Sequence, residues 1–104
     1  MNTELMIDVR VPADAAHTKN SVLNQFEGEG TKVEVTTTRD FVTVITIAGS
    51  LVTLLKGIVE LYEKLKKDPS MHEIKLEDEN GNILSLKTSN LDLIEEFLKN
   101  APKG

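Results

Sequence analysis

Hydrophobic and polar positions alternate along residues 4–11, near the start of the chain. A period of two is typical of a strand that buries one face, and Pro12 marks its predicted end. The side predicted to be buried consists of Leu5, Ile7, Val9 and Val11.

The next 25 or so residues carry a weaker pattern. Residues 13–27 predict a short helix, since four apolar residues fall on one helical face. Glycines in the EGEG tetrapeptide predict a loop at 27–30, and the β-branched run at 31–38 predicts a second strand whose valines face inward. The helical face consists of Ala16, Val22, Leu23 and Phe26, and the inward valines are Val33 and Val35.

A long segment without an obvious break runs from Asp40 to Lys67. Asp40 is a possible N-cap, and the residue before Pro69 disfavours helix, so a long helix is predicted to end near Lys67. Its first part, FVTVITI, is β-branched and equally typical of a strand. The helix therefore starts either near Asp40 or as late as Ala48.

Residues 72–88 predict a hairpin, HEIKLE and ILSLKT joined by DENGN. A type I turn with Gly81 left-handed as a bulge pairs Leu76 with Leu84, which keeps the apolar residues on one face. The same register pairs Ile74 with Leu86 and sets Glu73 opposite Lys87.

The chain closes with a predicted amphipathic helix that Ser89 or Asn90 caps. Its apolar face consists of Leu91, Ile94, Phe97, Leu98 and Ala101. Together these elements predict one small α+β domain over residues 1–104, with a small mixed sheet packed on one long central helix in the order β-α-β-α-β-β-α.

Composition narrows the function classes. The 104 residues include no cysteine, so thiol chemistry, disulfides and cysteine-based metal sites are excluded. With 17 acidic against 12 basic residues the net charge is -5, which argues against nucleic-acid binding. The N-terminal stretch MNTELMIDVR has no basic region followed by an apolar one, so no secretory signal and a cytoplasmic location are expected.

No group of residues predicts catalysis, a cofactor or a metal. His17 and His72 lack a partner at metal-binding spacing, and each is interpreted as a structural or surface histidine. The acidic turn from Asp78 begins like a calcium loop but lacks that loop's glycine and glutamate, so a hairpin turn is favoured. Gly28 and Gly30 lack the further residues of a phosphate-binding loop. The expectation is therefore a protein that is not an enzyme.

The long helix is the most informative feature. Read as one helix, its apolar residues span an arc of roughly 200°, wider than the ~100° stripe that one core contact needs. The rest of its surface repeats small residues at four-residue intervals, a spacing that permits close backbone approach. The predicted interface consists of Gly49, Thr53 and Gly57 for close packing, with Leu54 and Leu61 as additional apolar contacts.

Three interpretations of that arc stay open. The sheet and the other helices cover it within the monomer, or a second copy or another protein covers it. The third is membrane association through an apolar helix at 41–59, although only about 15 residues separate Asp40 from Lys56 and a bilayer needs about 20.

Three segments carry a resemblance to a known family: LYEKLKKDP at the end of the long helix, the hairpin HEIKLEDENGNILSLKT and the helix NLDLIEEFLK. Over residues 41–100 this order resembles the effector-associated constant component family, small α+β adaptors found beside effectors in bacterial conflict and defence systems. The resemblance implies an adaptor without catalytic residues.

The expected function is therefore a non-catalytic adaptor or scaffold. It associates with itself or with an effector protein through the long helix and a sheet edge, binds no nucleic acid and needs no cofactor.

Overall fold

The structure, a computed structural model, describes residues 4–28, 30–38 and 41–102. It is an α+β fold, as predicted. The elements are β1 (Glu4–Pro12), α1 (Ala16–Phe26), β2 (Lys32–Thr37), β3 (Val42–Ser50), α2 (Leu51–Lys67), β4 (Lys75–Glu77), β5 (Ile83–Ser85) and α3 (Leu91–Asn100).

The five strands form one sheet in the order β2-β3-β1-β4-β5. Each neighbouring pair is antiparallel, so the prediction of a mixed sheet was wrong. β1 lies in the centre, between the β2–β3 hairpin and the β4–β5 hairpin. The two hairpins account for the antiparallel pairs β2–β3 and β4–β5, because each brings consecutive strands back alongside each other.

The FVTVITI segment is a strand, one of the two alternatives that the sequence left open. It supplies most of β3, where Thr43, Ile45 and Ile47 are buried at every second position. The helix begins at Leu51, later than either predicted start, because Ser50 caps it by accepting a hydrogen bond from the Thr53 N–H at 3.2 Å. Its end at Lys67 is as predicted.

The helices pack on one face of the sheet. The four apolar residues predicted for the buried side of β1 are each at most 1% exposed, and they meet α2 residues such as Ile58 and Leu61 in a common core. The opposite face of the sheet carries the alternate residues, among them Met6, Asp8 and Arg10, of which Met6 is exposed. The protein therefore has two layers, helices over a sheet.

The β4–β5 hairpin has the predicted register. Leu76 is aligned with Leu84, the Leu86 N–H donates to the Ile74 carbonyl at 2.9 Å, and Gly81 has a φ of 86°. Glu73 accepts a hydrogen bond from the Ser85 hydroxyl. Its pairing with Lys87 stays a prediction.

The predicted inward valines of β2 differ in burial. Both are aligned with buried residues of β3, Val33 with Ile47 and Val35 with Ile45, so both face the helix side. Val33 is half-buried, whereas Val35 is 41% exposed. The helices lie over the centre of the sheet and leave the distal part of β2 uncovered.

Candidate interaction surface

Two of the predicted interface residues are core residues. Leu54 is 1% exposed and Leu61 is fully buried, and both belong to the cluster that joins the helices to the sheet. The prediction was wrong because the apolar arc was drawn on one continuous helix. Once residues 42–50 form a strand, the 17-residue helix that remains turns these leucines toward the sheet.

The three small residues do not share a helix face. Gly49 lies in β3, where a Cβ would stand 3.0 Å from the Thr31 methyl group. Gly57 lies in α2 and does permit a close approach, but its neighbour is the Phe26 ring of α1, which a Cβ would overlap. The predicted close packing is therefore met within the chain at Gly57, and these glycines are not available to a partner.

Thr53 is the only one of the five at the surface. It is half-buried in a shallow groove between α1 and α2 that Gln25, Val52, Lys56 and Glu60 also line. The Gln25 amide hydrogen-bonds Glu60 across this groove at 2.5 Å, and Ser50 donates to the Thr53 hydroxyl at 2.9 Å. Gln25 and Glu60 of this groove are thus bonded to each other, and Thr53 is bonded to Ser50 at the start of α2.

The edge strand β2 offers a different kind of surface. The Thr38 N–H donates to the Val42 carbonyl at 2.9 Å, which shows that the even-numbered residues direct their backbone groups toward β3. On the other side of β3, the Ala13 N–H donates to the Phe41 carbonyl at 2.9 Å, consistent with the same alternation. Successive residues of a strand alternate in direction. The backbone N–H and C=O groups of Val33, Val35 and Thr37 therefore point away from the sheet.

An open apolar groove follows the helix side of this edge. Leu23 of α1 and Glu27, the residue that follows α1, form one wall, and Val33 and Val35 form the other. A strand added to β2 would bring alternate side chains into this groove while its backbone met the outward groups of β2. Edge and groove together have the form of a strand-docking site, which we call the β2 edge (residues 32–37 with Leu23 and Glu27).

Phe41, which follows β2 in the hairpin to β3, has a backbone conformation that residues other than glycine rarely adopt. Its φ is 61°, and it is the one residue other than glycine with a positive φ in the described ranges. A bulky side chain is strained in that region, and such strain concentrates at functional sites. The ring is nevertheless 79% exposed, so burial in this chain does not offset the strain.

The opposite edge, β5, is short, and one of its outward backbone groups is engaged. Its three residues end at Ser85, whose carbonyl accepts a hydrogen bond from the Ser89 hydroxyl at 2.5 Å. The hairpin before it is held by Asp78, whose carboxylate accepts from the Asn80 and Asn82 N–H groups at 2.9 Å each. A very short edge strand with one carbonyl already bonded offers an added strand little to pair with.

Asp78 is buried, at 6% exposure. Burial by itself raises the pKa of its carboxyl, but hydrogen bonds from the Asn82 side chain and from the Asn82, Asn80 and Gly81 backbones outweigh it and hold the pKa below the ordinary 3.8. The turn that resembled the start of a calcium loop therefore has its carboxylate fully used by the hairpin.

One cluster has the composition of a catalytic triad. His17 Nε2 lies 2.7 Å from Asp68 Oδ2, and the Ser70 hydroxyl donates to Asp68 Oδ1 at 2.6 Å. The hydrogen bond with His17, then those from Ser70, lower the pKa of Asp68 to about 2. A triad needs the imidazole between the hydroxyl and the carboxylate, and here the carboxylate is in the middle. The contact instead ties the start of α1 to the end of α2.

His72 has a structural contact as well. Its side chain is exposed, and its backbone N–H donates to the buried hydroxyl of Thr18 at 2.8 Å. Across residues 4–28, 30–38 and 41–102, no three His, Asp or Glu side chains converge as metal ligands.

The predicted apolar helix at 41–59 does not exist as one element, because residues 42–50 are in β3. Within the part of the chain that the structure describes, no helix is long and apolar enough to cross a membrane. The membrane alternative named that helix, which the structure divides between β3 and α2.

Comparisons of the chain with family models, with curated proteins and with solved structures each find no match. The site therefore rests on its own geometry. The sequence predicted contact through a sheet edge but did not indicate which one. The signal at β2 is a β-branched run with one basic and one acidic residue, Lys32 and Glu34.

Proposed function

We propose that this chain is a non-catalytic adaptor or scaffold domain that acts by protein association, and that its contact surface is the β2 edge. The observation that carries the proposal is the free backbone of Val33, Val35 and Thr37 beside an exposed apolar groove. Strand addition uses main-chain hydrogen bonds for affinity and side-chain pockets for specificity, and both elements are available here.

The resemblance over residues 41–100 supports the class of partner. It favours an effector protein of a bacterial conflict or defence system, encoded near this chain. A cytoplasmic setting is part of the proposal, and the absence of cysteine means that folding needs no oxidising compartment.

The β2 edge replaces the interface that the sequence predicted on the long helix. Four of its five residues lie inside the fold, at Gly49, Leu54, Gly57 and Leu61. The fifth, Thr53, lies in a groove between helices with its hydroxyl bonded to Ser50, and that groove presents no unpaired backbone of an edge strand.

The test is co-purification of the chain with the products of adjacent genes. Val35→Pro removes an N–H that points out of the sheet, and proline is tolerated on an edge strand in that orientation. Val35→Thr keeps the N–H and the β-branched shape, so it serves as the matched control. We expect one gene product to co-purify with the wild type and with Val35→Thr, but not with Val35→Pro.

Circular dichroism should show that Val35→Pro melts near the wild type, so that lost binding is not lost folding. Binding that survives in Val35→Pro, or no binding by any adjacent gene product, contradicts the proposal.

A further inference from the structure

We propose that a second copy of this chain pairs with the β2 edge, with the two β2 strands antiparallel about a two-fold axis at Val33. This inference rests on the proposed function, because it uses the same edge: the second copy occupies the β2 edge until an effector strand displaces it. The product is a continuous ten-stranded sheet, two copies of the five-stranded sheet, with both helix layers on one side.

Charge on the open face of β2 points to a self-complementary partner. Lys32 and Glu34 are exposed on the same face, two residues apart, and neither forms a salt bridge within the described residues. In the antiparallel pair centred on Val33, Lys32 lies opposite the partner's Glu34. Symmetry repeats that pair, so each charge meets its opposite.

The backbone restricts the alternatives to a few registers. Residues that exchange hydrogen bonds across the new pair must both direct their backbone groups outward, which aligns odd-numbered residues with odd-numbered residues. Centring the pair on Glu34 places that carboxylate opposite the partner's Glu34, a repulsive contact. Centring it on Val35 leaves Glu34 opposite the partner's Thr36, so neither charge is matched. The register centred on Val33 is the one in which charge complementarity is complete.

The helix side of the edge presents apolar side chains, with Glu27 at its rim, where the copies would meet. Val33 lies opposite the partner's Val33 in this register, and Val35 opposite the partner's Thr31. Val35 is 41% exposed and lines the same open groove as Leu23. Two such grooves face each other across the axis, so each copy covers the apolar surface that the other leaves open.

Size-exclusion chromatography with light scattering over a wide concentration range tests the pairing. The wild type should reach twice the 11.5 kDa of one chain, and Val35→Pro should stay at the mass of one chain. Lys32→Glu and Glu34→Lys should each raise the dimer dissociation constant about tenfold or more, because both cross-strand pairs become repulsive.

Mixing the two single variants is the decisive step. Lys32→Glu carries two acidic residues on the face and Glu34→Lys carries two basic ones, so the mixture should form a heterodimer at wild-type affinity. The double variant Lys32→Glu with Glu34→Lys should restore the homodimer, because it exchanges the two charges.

A single-chain mass at every concentration would overturn the inference, as would a dimer that Val35→Pro leaves intact. A dimer indifferent to the charge variants would overturn the register. The proposed function fails separately, when no adjacent gene product depends on the β2 edge. Each failure can therefore be told from the other, since one is measured on the purified chain alone and the other with a second protein present.

Discussion

At one edge of the sheet, β5 is three residues long, its Ser85 carbonyl is bonded to Ser89, and its hairpin turns through Gly81 with a φ of 86°. At the other edge, β2 is six residues long, its outward backbone groups are free of sheet partners, and its hairpin holds Phe41 at a φ of 61°. The β5 hairpin uses the residue that a left-handed position favours, whereas the β2 hairpin uses an exposed aromatic one. Departures from local rules gather at sites selected for function, so the contrast favours β2 as the working edge.

The largest expected effect is on the free energy of unfolding, when proline replaces one or the other of two neighbouring residues of β2. Thr36 directs its N–H toward β3, so Thr36→Pro removes a ladder hydrogen bond and should lower the free energy of unfolding by up to about 3 kcal/mol. Val35→Pro, one residue away, should lower it by less than about 1 kcal/mol, because that N–H points outward. Urea denaturation of both variants checks the assignment. Equal losses of unfolding free energy in the two variants would mean that the Val35 N–H does not point outward. The β2 edge would then not be free.

The next prediction concerns Asp78, which supports the turn of the β4–β5 hairpin at the other edge of the sheet. Asp78→Ala removes the acceptor of several hydrogen bonds in a buried turn and should cost about 2 kcal/mol of unfolding free energy. Glu79→Ala in the same turn is exposed and should cost little, which makes it the control.

The effect of Asp78 should depend on pH. The pKa of Asp78 is lowered in the folded protein, so its stabilisation is present above the unfolded pKa of about 3.9 and is lost as the pH falls through the folded value. Unfolding curves of wild type and Asp78→Ala should therefore differ at neutral pH and approach each other in acid. A difference that stays constant with pH would show that the lost stability is not due to the carboxylate.

The smallest expected effect concerns Phe41. Asn tolerates the left-handed region better, so Phe41→Asn should raise the unfolding free energy by up to about 1 kcal/mol. If the ring contributes to the proposed contact, the same variant should weaken association while it stabilises the fold. Val52→Thr removes a comparably exposed apolar side chain on α2 and should leave association unchanged. A loss of stability in Phe41→Asn would show that the ring packs favourably within the monomer.

Local patterns predicted most of the fold. The alternation in β1, the end of α2 before Pro69 and the Gly81 turn each depend on neighbouring residues, and the structure has all three. The sheet was predicted as mixed because strand order depends on contacts between residues far apart in the chain. β1 pairs with β3 from Glu4↔Ser50 to Pro12↔Val42, which no local pattern encodes.

The site was harder to predict than the fold. A β-branched apolar run is compatible with strand or helix, and treating residues 41–50 as helix placed Leu54 and Leu61 on an imagined outer face. The burial of those leucines and the contact of Gly57 with Phe26 follow only once β3 is a strand. Likewise, the exposure of Val35 depends on how far the helices extend over the sheet, which the sequence of β2 alone does not specify.

The central place of β1 has a consequence for the order of folding. Each hairpin closes through contacts between residues near in sequence, but β1 joins them only by pairing with β3 and with β4, whose residues 75–77 are synthesised some 65 residues later. Until β1 is inserted, both hairpins expose an unpaired inner edge, and such edges are where newly made chains aggregate. We therefore expect the pairing of this one non-local strand to limit the rate of sheet assembly, because contacts between residues far apart in the chain form slowly.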